Sequence, residues 1–95
     1  ACVDAVQSAG VKPCWTPDVD FWCAGTQKWL LSGIGLCVAV LGERWMRELE
    51  PPFPAWLSLR EPMRADSGPE STAKGWECGW VTPTALARLE GSLDA

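Results

Sequence analysis

Three features of this 95-residue sequence predict an α/β fold. Short apolar segments rich in Val, Ile, Cys and aromatic residues alternate with polar or amphipathic ones. Gly and Pro punctuate the chain at the changeovers. The final segment, from Thr82 onward, has the three- and four-residue apolar spacing of a helix.

The elements follow in order. Residues 2–3 read as the end of a buried strand. Asp4 to Ala9 suits a short helical turn closed by Gly10, and Lys12-Pro13 and Thr16-Pro17 mark loops because Pro removes a donor and restrains its predecessor. Val19 to Ala24 predicts a second strand, and Gly25 to Lys28 a polar connection. Ile34 to Leu41, after the break at Ser32-Gly33, has the Val, Ile and Leu content of a central strand. Glu43 to Leu49 predicts a helix with Trp45, Met46 and Leu49 on one side, stopped by Pro51-Pro52-Phe53-Pro54. Residues 60–75 mix charges, Pro and small residues and read as an exposed loop, and Gly75 to Val81 as a short strand. Thr82 is placed to cap a helix with Pro83 at its first position, and Leu86, Leu89 and Leu93 form its apolar stripe.

Composition narrows the function. The formal charge of −4 argues against a dedicated nucleic-acid binder, which carries a basic face. No apolar run reaches the roughly 18–20 residues of a membrane span, so no membrane partner is expected. His is absent, which removes every His-based triad, general base and metal ligand. The five Cys, at 2, 14, 23, 37 and 78, show no C-x-x-C spacing, so no metal site is expected. They read as small buried hydrophobes in a reducing cytoplasm. The opening Ala-Cys-Val-Asp, a strand without a leader, reads as part of something longer.

One constellation carries chemistry. Asp4, Gln7 and Lys28 follow strand ends, where ligand sites of α/β sheets gather. Asp4 and Gln7 are three apart and share one side of a helical turn. These residue types suit pyridoxal 5'-phosphate: a Lys amine to bond its aldehyde, a carboxylate to keep its ring nitrogen protonated, and an amide beside its ring oxygen. The plain alternative is that Asp4 caps a turn, Gln7 faces water and Lys28 is a surface charge.

A wider string adds to this pattern. Val3-Asp4-Ala5-Val6-Gln7-Ser8-Ala9-Gly10, Asp18-Val19-Asp20-Phe21 and Ala24-Gly25-Thr26-Gln27-Lys28-Trp29-Leu30-Leu31 with Gly33-Ile34-Gly35 together resemble the class V aminotransferase family. Lys28-Trp29-Leu30-Leu31 and Pro51-Pro52-Phe53-Pro54-Ala55-Trp56-Leu57-Ser58 resemble its isopenicillin-N-epimerase-like branch. The likeness is weakest over 60–75, resumes at Trp76-Glu77-Cys78-Gly79 and ends in Ala85 to Glu90.

The resemblance implies part of a three-layer α/β domain. Residues 1–59 would be the central part of the cofactor-binding large domain, 60–75 an exposed loop, and 76–95 a strand and helix leading toward the small domain. It implies that Asp4 pairs with the pyridine nitrogen, Gln7 bonds the ring hydroxyl, Thr26 lies near the phosphate and Gln27 flanks Lys28, the Schiff-base and catalytic residue. It also implies a small-molecule amino-acid substrate, a homodimer, and transamination, epimerisation or lyase chemistry. The family's phosphate loop, ring-stacking aromatic and substrate-carboxylate Arg lie outside the matched blocks, so these 95 residues are expected to be inactive alone. Gln27 stands where the family usually has His and cannot carry charge near neutral pH. Trp80 stands where the family often has a phosphate-reaching Thr, and Ala55 where it has Gly. These departures open an alternative: a non-catalytic interaction or structural module derived from the same fold, with some of the seven Trp as interface anchors.

Overall fold

Alternation of exposed and buried residues in Phe21–Gly25 is what a strand covered on one face requires, and this segment forms β2. Before it lies β1, Cys2–Asp4, and after it β3, Cys37–Leu41, in a three-stranded sheet of order β1-β2-β3. The computed structural model describes residues 1–95 as a small mixed α/β protein with this sheet and two helices. The helices are α1, Glu43–Glu48, and α2, Pro83–Leu93. Neither is long and apolar enough to cross a membrane. The chain divides into two compact units, residues 1–40 with 81–95, and residues 41–80.

In the first unit β1 and β2 pair in parallel, with Cys2 beside Phe21, Val3 beside Trp22 and Asp4 beside Cys23. The ladder continues one residue further, the Ala5 amide donating to the Cys23 carbonyl at 2.7 Å. Ala5, Ala9, Trp22 and Ala24 form the buried cluster, with Val3, Cys14, Val19, Leu30 and Val38 packed against it. The Trp22 ring nitrogen donates to the Cys14 carbonyl at 3.0 Å, which satisfies the one polar atom the indole brings into the core. Three of the four cluster residues are Ala, so the core removes little apolar surface from water. Meanwhile Leu31 and Ile34 stay 73% and 91% exposed.

Several sequence expectations are corrected here. The 34–41 segment becomes a strand only at Cys37, because Gly33 and Gly35 both hold positive φ (90° and 99°) and turn the chain first. β3 is an edge strand; the central one is β2. In α2 Leu86, Leu89 and Leu93 do line one side of the helix, but of the three only Leu89 is buried, with Ala85 a turn before it, and Leu86 and Leu93 stay exposed. Pro83 does occupy the first turn, but the Thr82 side chain makes no cap bond; its carbonyl instead accepts the Ala85 and Leu86 amides. Only Cys14 and Cys23 are partly buried; Cys2, Cys37 and Cys78 are exposed, because Cys2 and Cys37 sit on edge strands.

The second unit is built from turns. In α1, Glu43 and Arg47 pair at 2.7 Å and Arg44 and Glu48 at 3.0 Å, both four residues apart. Segment 60–75 carries more order than a plain exposed loop. Leu59 bridges Pro69 in antiparallel fashion, the Arg60 amide donates to the Gly68 carbonyl, and 3-10 turns form at Ala65–Ser67 and Ala73–Trp76. The strand expected over 75–81 does not form. Residues 73–76 coil into the second of these turns, and Gly75 is pressed against the Glu70 backbone, where a Cβ would overlap the Glu70 carbonyl.

Candidate functional site

At the carboxyl ends of the two parallel strands, each chain segment turns. After β1, the Ser8 and Ala9 amides donate to the Ala5 carbonyl at 2.9 and 2.8 Å, a single helical turn. Gly10 closes it at φ +91°, in the left-handed region. The expectation of a short helical turn at 4–9 is met in this form. Asp4 is exposed at its start, and its carboxylate accepts the Val6 amide at 3.0 Å. Gln7 is exposed on the same turn.

After β2 comes a closed loop at 26–32. Thr26 is fully buried; its hydroxyl donates to the Leu36 carbonyl at 3.0 Å and accepts from the Ser32 hydroxyl. The Ser32 amide closes the loop onto the Thr26 carbonyl at 3.0 Å, and the Leu31 amide donates to the Lys28 carbonyl. Leu31 takes a left-handed φ of 54°, uncommon for a branched side chain. The Ser92 hydroxyl of α2 donates to the Leu30 carbonyl at 2.6 Å and pins the loop from outside. On this loop Gln27 and Lys28 are both exposed. The Gln27 amide folds back against Gly25, where a Cβ would approach its oxygen to 2.5 Å.

The two turns meet. A Cβ on Gly10 would lie 2.9 Å from the Trp29 carbonyl oxygen and 3.3 Å from a Leu30 methyl. The turn that carries Asp4 and Gln7 is therefore packed against the residue that follows Lys28. Parallel pairing sends both strands toward this end, and glycine permits the close approach.

Of the five site residues expected from sequence, Asp4, Gln7, Gln27 and Lys28 stand exposed at this end of the sheet and can meet a ligand. Thr26 does not: its hydroxyl proton is committed to Leu36, so here it organises the loop. In the sequence Ser32 and Gly10 read only as a break and a turn closure, not as parts of the site. Ser32 anchors Thr26, and Gly10 admits Trp29; the only sequence signal for either is a small residue at a turn.

The sheet face that bears Asp4 also bears thiols. Burial pushes the Cys23 thiol up from its ordinary pKa, and the neighbouring Cys37, Asp4 and Cys2 add to that. Raised this way, Cys23 holds its proton at neutral pH and is a poor nucleophile. On the opposite, core face, an apolar groove of about 290 Å³ opens beside Trp22, Leu30, Val38 and Leu89.

No protein-family model matches this chain. No curated protein matches it either.

Proposed function

We propose that this chain is a segment of a pyridoxal-phosphate-dependent enzyme of the class V aminotransferase type, acting on an amino acid, with Lys28 as the residue that bonds the cofactor. The single observation behind this reading is the close packing of the Asp4–Gly10 turn against Trp29 at the carboxyl ends of two parallel strands. That end carries an acid, two amides and a primary amine, the residue types that suit the cofactor's ring and aldehyde. When bound, pyridoxal phosphate supplies an electron sink for charge developing at a substrate α-carbon.

Each residue then has a task of its own. The Asp4 carboxylate, steadied by the Val6 amide, would hold a proton on the pyridine nitrogen. Gln7 would donate its amide toward the ring oxygen from one helical step away. The Lys28 amine would bond the cofactor and carry a proton to and from the substrate α-carbon. Gln27 can donate a hydrogen bond beside it but cannot move a proton near neutral pH. Buried Thr26 would fix the loop's shape rather than touch the phosphate.

The large apolar side chains left exposed, among them Val11, Leu31, Ile34 and Val40, support the segment part of the reading. Surface of this kind is normally covered by further layers of an α/β domain or by a second subunit. The same reading implies a homodimer and a cytoplasmic setting for the whole enzyme.

The test is spectroscopic. Titration with pyridoxal phosphate, followed by removal of unbound cofactor, should leave a protein-bound aldimine band on the unaltered chain and none on Lys28→Ala. A band that survives the substitution removes Lys28 from its role.

A second reading, a non-catalytic interaction module, is favoured by one observation. Trp56 and Trp80 stack with centroids 6.2 Å apart and ring planes nearly parallel, while both stay at least half exposed, as interface anchors do. It predicts no cofactor band and a defined larger species on size exclusion.

A further inference from the structure

We draw no further inference here: the strongest candidate, the open face of the sheet that carries Cys2, Cys23 and Cys37, sets Cys2 and Cys23 two residues out of register on neighbouring strands, too far for a disulfide without backbone movement, and brings no three of its thiols and carboxylates together as a metal site.

Discussion

Residues 1–40 with 81–95 and residues 41–80 solve the problem of staying folded in different ways. The first unit has a sheet, a buried indole and a cluster of Ala side chains that interlock at short range. The second buries only Ser58, Leu59 and Gly75 and relies on turn hydrogen bonds and surface ion pairs. Surface pairs are worth little because water screens them and both side chains lose freedom. Local stability should therefore be concentrated in the first unit, and the candidate site lies wholly within it. A site assembled from two turns needs that rigidity, since its groups must hold position to act together.

The contrast can be broken most severely at Trp22. Trp22→Ala empties the core and strands the Cys14 carbonyl; it should cost about 3–5 kcal/mol, read as a lower denaturation midpoint. A small shift would mean that the cluster is not what holds the first unit. Next comes Gly75→Ala in the second unit. The added methyl collides with the Glu70 backbone, which no side-chain motion relieves, and should cost about 1–3 kcal/mol. Hydrogen exchange should quicken at the Glu70 amide, which donates to Ser58, and stay unchanged at the Ala5 amide in the sheet.

Thr26→Val sharpens the comparison inside the site. It keeps the shape but removes the hydroxyl between Leu36 and Ser32, and should cost about 1–3 kcal/mol by leaving buried groups unpaired. Circular dichroism of the sheet should persist while protease cutting within 26–32 accelerates. Smallest is Arg47→Ala, which breaks an exposed pair with Glu43. No measurable change in midpoint is expected, and a clear one would show that the second unit depends on its ion pairs.

How far the sequence could be read depends on how local each cause is. The sheet's first two strands, the turn at 4–9 and the start of α2 at Pro83 follow from neighbouring residues, through alternation, turn chemistry and a restrained φ. The misreadings share a different cause. Ile34 to Leu41 has a central strand's composition, but its place at the sheet edge is decided by which strands pair, and composition does not record that. Leu86, Leu89 and Leu93 share a side as the helical period predicts, yet only Leu89 of the three is buried, because burial depends on what packs against the helix. Gly75 to Val81 has strand propensity and no partner strand. Leu31 and Met63 take left-handed φ values that no local rule assigns to such residues.

The site was legible to a similar depth. Its four exposed polar residues could be picked out by type and by position after strands. The packing of Gly10 against Trp29, which joins their two turns, and the burial of Thr26 are tertiary facts.

Reductive trapping tests the central claim most directly. The chain is mixed with pyridoxal phosphate, reduced with borohydride, and its labelled peptides are counted at the three lysines, Lys12, Lys28 and Lys74. The label should concentrate on Lys28 and fall when Asp4→Ala removes the acid from the neighbouring turn. Equal labelling of all three lysines, indifferent to Asp4, would contradict the account.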